Sequence, residues 1–262
     1  MKSFLRGSLF FTLALSAAST AEAKIKTESI EYKDGNTVLE GYFAYDDAVK
    51  GKRPAILVVH EWLGPGPYSK KRAEQLAELG YLAFAVDMYG KDTRPKNHEE
   101  AAKVSGMFRS DRKLMRSRIT VGLERAKQHP LAEASKVGVV GYCFGGTAAI
   151  ELARSGADVK AVATFHAGLD SPTPADGKNI KGKIMVFHGA DDAFVPAENV
   201  AAFQKELRDA KVDWQMLYFG GAVHSFTVAE AGNDPSKGMA YNAAADRRSW
   251  ETMKGFFSET FK

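Results

Sequence analysis

The chain predicts an α/β fold, a mostly parallel central sheet with helices on both faces. Three observations predict it. Short apolar runs such as Ala55-Ile56-Leu57-Val58-Val59 carry no polar alternation, as strands buried on both faces require. Stretches with helical apolar spacing separate these runs, so successive strands need crossover connections and pair in parallel. No Pro/Ser linker, repeat or low-complexity stretch interrupts residues 24–262, which read as one domain.

Element by element, residues 25–32 and 37–45 alternate as strands, joined at Asp34-Gly35-Asn36, whose Asp-Gly step marks a hairpin. Strand 55–59 is followed by a helix over 68–79, with Ala73, Leu76 and Ala77 on one face and Gly80 as its stop. Strand 81–86 ends at Asp87, and the polar stretch 91–97 reads as a loop. Helices over 99–108 and 112–128, strand 137–140 and a helix over 144–154 come next. Apolar strands 159–165 and 184–187, a helix over 197–210, strand 214–218 and a closing helix over 239–257 complete the pattern.

The first 23 residues stand apart. Lys2 and Arg6 precede a short apolar stretch, and Ala21-Glu22-Ala23 offers an A-x-A cleavage site before Lys24. This reads as a secretory signal peptide. A membrane anchor is the competing reading, but the apolar stretch is too short to span a bilayer. The expectation is an exported protein, periplasmic or secreted, with no membrane association once the signal is cleaved. A formal net charge of +4 is mild. The one basic run, residues 109–118, includes Asp111 and reads as a solvated helix face, so no nucleic-acid partner is expected. The chain has one cysteine, which excludes an internal disulfide.

That cysteine carries the chemistry. Cys143 lies in Gly141-Tyr142-Cys143-Phe144-Gly145-Gly146, directly after strand 137–140 and before a helix. G-x-C-x-G in this setting is the nucleophile turn of the α/β-hydrolase fold, with cysteine in place of serine. The bend is tight, and a Cβ at either flanking glycine would clash. In this architecture the acid and then the base follow the nucleophile, each past a strand end. His188-Gly189-Ala190-Asp191-Asp192-Ala193-Phe194-Val195-Pro196 supplies two acids. The hydrolase pattern H-G-x-x-D-x-x-x-P selects Asp192, and Asp191 reads as a turn residue. The base is His224, in the loop after strand 214–218. His98 and His129 read as surface residues, His188 as a packed strand end, and His166 as a pocket residue at the end of its strand. The loop after strand 55–59 places the N–H of Trp62, with that of Phe144, as oxyanion donors.

Together these segments resemble the dienelactone hydrolase family of α/β hydrolases. The matching pieces are His60-Glu61-Trp62-Leu63-Gly64, Asp87-Met88-Tyr89-Gly90, the Cys143 turn, the Asp192 loop and His224-Ser225-Phe226, in order along nearly the whole domain. The resemblance implies a Cys143–His224–Asp192 triad acting on esters or lactones. It also implies that Glu61 holds Cys143 as a neutral thiol until substrate displaces the carboxylate. His60, His166 and Tyr89 are candidate pocket residues. The arginine these enzymes carry shortly after the catalytic histidine is missing from His224-Ser225-Phe226-Thr227-Val228, so the resemblance points to ester or lactone hydrolysis without specifying dienelactone. The expected partner is a small ester or lactone; no metal or organic cofactor is implied. A non-catalytic carrier on the same scaffold is the alternative.

Overall fold

In a computed structural model, described over residues 24–262, eight strands form one sheet in the order β1-β2-β4-β3-β5-β6-β7-β8. The leader read over residues 1–23 lies outside the described residues. Strand β1 (Ile25–Asp34) pairs antiparallel with β2 (Thr37–Asp46) across a two-residue turn, where Gly35 takes φ 57°. The register follows the turn, with Asp34 opposite Thr37. Strand β2 pairs antiparallel with β4 (Leu82–Val86). From β4 through β3 (Arg53–Val59), β5 (Ala132–Tyr142), β6 (Ala161–Phe165), β7 (Lys183–Gly189) and β8 (Trp214–Phe219), every pairing is parallel.

Alternate residues of each central strand feed two separate cores. On β3, Ala55, Leu57 and Val59 join one cluster with Met115 and Ile119 of α3 (Arg112–Lys127), Ile150 of α4 (Phe144–Arg154) and Phe203 of α5 (Ala197–Asp209). Ile56 and Val58 face Leu76 of α1 (Pro67–Glu78) and Met253 and Phe257 of α6 (Ala243–Thr260). This two-sided burial explains the unbroken apolar runs. Helix α2 (His98–Ser110) and α3 abut, and each starts on a side-chain cap: Asn97 accepts from Glu100 N and Asp111 from Leu114 N.

Two expectations are corrected. Strand β5 begins at Ala132, five residues before the apolar run, because its first half is a partly exposed extension that borders β3 at Arg53. The last helix begins at Ala243, capped by Asn242. Met239 lies instead in a parallel bridge with His224: His224 N donates to Gly238 O and Ala240 N to His224 O. The apolar character of Met239 serves a cavity wall rather than a helix face.

Candidate active site

Cys143 sits between β5 and α4 with φ 51° and ψ −116°, a left-handed backbone that a non-glycine residue adopts only under tight constraint. The glycines permit the bend. A Cβ on Gly141 would run into the Gly145 carbonyl, and one on Gly145 into the carbonyls of Val59 and His60. A Cβ on Gly146 would press on the Ala167 methyl at 2.5 Å. Cys143 N donates to Phe165 O at 3.0 Å, which ties the turn to β6.

The turn lifts the sulfur towards the loops that follow β7 and β8. His224 Nε2 lies 3.1 Å from Cys143 Sγ, and His224 Nδ1 lies 2.8 Å from Asp192 Oδ2. All three residues are buried. Asp192 Oδ1 also accepts from Phe194 N at 3.0 Å, which fixes the carboxylate plane. Asp191 is exposed and accepts from Gly221 N, as a turn residue would. Burial pulls the His224 imidazole down, but the charge of Cys143 and the Asp192 hydrogen bond more than offset it, leaving its pKa raised.

The N–H groups of Trp62 and Phe144 donate to no acceptor among the described residues. The Trp62 carbonyl accepts from Tyr89 Oη at 2.8 Å, so the loop that carries this free N–H is held in place. His60 is buried behind the same loop. Its Nε2 accepts from Met88 N at 3.1 Å, so its proton is on Nδ1, which donates to Glu61 O at 2.6 Å. Burial pushes its pKa down to about 4, which keeps it neutral.

A cavity of about 320 Å³ opens over the sulfur, lined by Trp62, Arg109, Thr147, Phe194 and Met239 beside Cys143 and His224. The expected pocket residues His60, His166 and Tyr89 are not among its lining; they stand behind its wall as buried supports. Glu61 also differs from expectation. It makes no hydrogen bond to Cys143, whose sulfur is engaged by His224. Its Oε1 is shut off from solvent without a partner, 4.0 Å from His166 Nδ1. Burial raises the Glu61 pKa to about 7. Arg109 heads the basic run that reads as a solvated face, yet the end of α2 brings it to the cavity. Phe194 was legible in principle, being two residues past Asp192 in the acid loop. Among the described residues no cluster of three metal-ligating side chains occurs, and no helix is long and apolar enough to cross a membrane.

The strand order, the strained cysteine turn and the residues gathered beside it define an α/β hydrolase. Residues 39–261 match the profile described as the dienelactone hydrolase family. The chain belongs to that family and is a hydrolase of its kind. It is similar to a solved dienelactone hydrolase-like promiscuous phosphotriesterase from metagenomic libraries, at 39% identity and a TM-score of 0.87, covering 92% of this chain and 100% of that one. It is 29% identical to a candidate carboxymethylenebutenolidase of Aquifex aeolicus (strain VF5), over 90% of this chain and 99% of the relative. A solved dienelactone hydrolase from Anabaena variabilis, at 18% identity and a TM-score of 0.69, shares the fold; it covers 91% of this chain and 99% of that one.

Proposed function

We propose that the chain is a cysteine-dependent hydrolase of carboxylic esters or lactones, working through an acyl-thioester on Cys143. The carrying observation is the continuous contact from sulfur to imidazole to carboxylate, at 3.1 and 2.8 Å. His224 takes the thiol proton, and the sulfur adds to the substrate carbonyl carbon. The oxyanion that forms is met by the free N–H groups of Trp62 and Phe144, each worth about 3 kcal/mol in the transition state. His224 returns the proton to the departing alkoxide. The alcohol leaves, or in a lactone remains attached as a hydroxyacyl chain. Water then attacks the thioester while His224 accepts its proton, and the acid and the thiol are released. Asp192 keeps the imidazole in the tautomer that accepts at Nε2.

The cavity wall of Trp62, Phe194 and Met239 suits a small acyl group with apolar surface. The test is turnover of short p-nitrophenyl esters and small lactones by wild type and Cys143→Ala, with intact-mass detection of an acyl adduct. Turnover and an adduct lost together in the variant support the reading; equal turnover in the two proteins overturns it. An aryl dialkyl phosphate belongs in the same panel, because the metagenomic relative is described as a promiscuous phosphotriesterase. We further propose export, on the charged and apolar pattern of residues 1–23 and the A-x-A site. A mature N-terminus at Lys24 in protein recovered outside the cytoplasm would support it, and a retained Met1 would overturn it.

A further inference from the structure

Four polar side chains outside the cavity line up behind Glu61. Arg72 Nε donates to Tyr68 Oη at 3.2 Å, Tyr68 Oη lies 2.6 Å from Thr227 Oγ1, and Thr227 Oγ1 lies 2.8 Å from His166 Nε2. The imidazole then presents Nδ1 to Glu61 Oε1 across 4.0 Å. These last two atoms are both shut off from solvent and both lack a hydrogen-bond partner. The head of the chain sets its direction. A guanidinium only donates, so the Tyr68 oxygen accepts from Arg72 and its one proton is free for Thr227. The Thr227 proton is in turn free for His166 Nε2. A neutral imidazole that accepts at Nε2 carries its proton on Nδ1, and that N–H faces Glu61.

We propose that Arg72, Tyr68, Thr227 and His166 form a polarised hydrogen-bond relay that closes on Glu61, holds its carboxylate on the His166 side and leaves the Cys143 thiol to His224. The proposal rests on the reading of Cys143 as the nucleophile, and the four relay members are positioning residues. Closing the 4.0 Å gap to a hydrogen bond needs a side-chain shift of about 1 Å. Two orphaned buried atoms facing one another favour that closure, since each forfeits its hydrogen bonds to water. Burial holds the His166 pKa well below its ordinary value, with His224 and Arg72 acting in the same direction, so the ring is neutral. Burial likewise keeps the Tyr68 phenol protonated.

The groups facing the pair are Arg72 of α1, Tyr142 of β5, His188 of β7, His224 after β8 and Glu230 beyond it. His224 and Arg72 favour the Glu61 carboxylate, and Glu230 opposes it. His166 itself sits at φ 40°, a left-handed value for a bulky residue.

The test is the rate of Cys143 alkylation by iodoacetamide across about pH 5 to 9, followed by intact mass. Wild type is expected to show an inflection near pH 7 from Glu61. Thr227→Val breaks the relay and shifts this inflection upward by about half a pH unit or more, roughly threefold in acidity. Tyr68→Phe shifts it the same way by less, and Thr227→Ser, which keeps the hydroxyl, leaves it in place. Glu61→Gln abolishes the inflection, and adding Thr227→Val then changes nothing. A wild type without the inflection overturns the relay, as does an inflection unmoved by Thr227→Val or a shift that persists in the Glu61→Gln background. Alkylation needs no turnover. A relay found in a chain that hydrolyses no ester would sink the enzymatic reading alone, and ester turnover with an unmoved inflection would sink the relay alone.

Discussion

Replacing Asp192 by Asn tests the acid at nearly constant shape. In the structure Asp192 Oδ1 accepts from Phe194 N while Oδ2 faces His224 Nδ1 at 2.8 Å. The Asn carbonyl can satisfy only one of these sites. If it keeps Phe194 N, its amide N–H₂ meets His224 Nδ1 and must donate to it. The imidazole then carries its one proton on Nε2, aimed at Cys143 Sγ 3.1 Å away, and can no longer accept the thiol proton. The same exchange in a serine triad lowers kcat by about 10⁴. A thiol needs less help than a hydroxyl, because its ordinary pKa is about 8.5. We therefore expect a loss of about 10³-fold in kcat, or about 4 kcal/mol of transition-state stabilisation. The assay is steady-state hydrolysis of a p-nitrophenyl ester near pH 7, with Asp191→Asn as the control. Asp191 only caps Gly221 N on the surface, so that variant should stay within about threefold of wild type. Activity of Asp192→Asn within tenfold of wild type, or an equal loss in both variants, would refute the reasoning.

Further outcomes follow from other parts of the site. Gly145→Ala should lower stability by about 3 kcal/mol in urea unfolding, because its methyl meets the carbonyls of Val59 and His60, neither of which can yield without moving β3. Cys143→Ala should lower the pKa of His224, read by NMR titration, because Cys143 is the largest influence holding it up against burial. Glu61 has its folded pKa raised by burial from 4.5 to about 7, so the stability it contributes is complete below about pH 4.5 and is lost as pH rises through about 7. Relative to wild type, Glu61→Gln should therefore gain roughly 2–3 kcal/mol between about pH 5 and 8 in denaturation profiles. Arg154→Met should destabilise the fold by about 3–5 kcal/mol, because it strands the buried carboxylate of Glu206, which pairs with the guanidinium through both oxygens, while Glu151 keeps Arg116.

The strands of the sheet centre were legible because each is buried on both faces and so leaves an unbroken apolar run, as at Ala55 to Val59. Cys143, Asp192 and His224 were legible because each stands at a strand end in a loop of narrow backbone requirements. The segment around Met239 was not, since apolar residues at helical spacing look alike whether they pack on a sheet or wall a cavity. The Tyr68–Thr227–His166 line behind Glu61 was hidden for another reason. Thr227 and His166 are 61 residues apart, and Tyr68 and Thr227 are 159 apart, so only the folded chain brings them into a line. Short-range pattern carries backbone demands well and carries side-chain networks poorly.

The strained turn at Cys143 separates two things that many sites entangle. The position of the Cys143 sulfur is dictated by main-chain contacts among Gly141, Gly145, Val59 and Phe165, none of which touches it through a side chain. The element at the tip is thus interchangeable in a geometric sense. Oxygen could stand where sulfur does without the scaffold being rebuilt, and the choice between them would be felt only in reactivity. The bend thus fixes where the side chain stands and leaves its chemistry to the one residue at the tip.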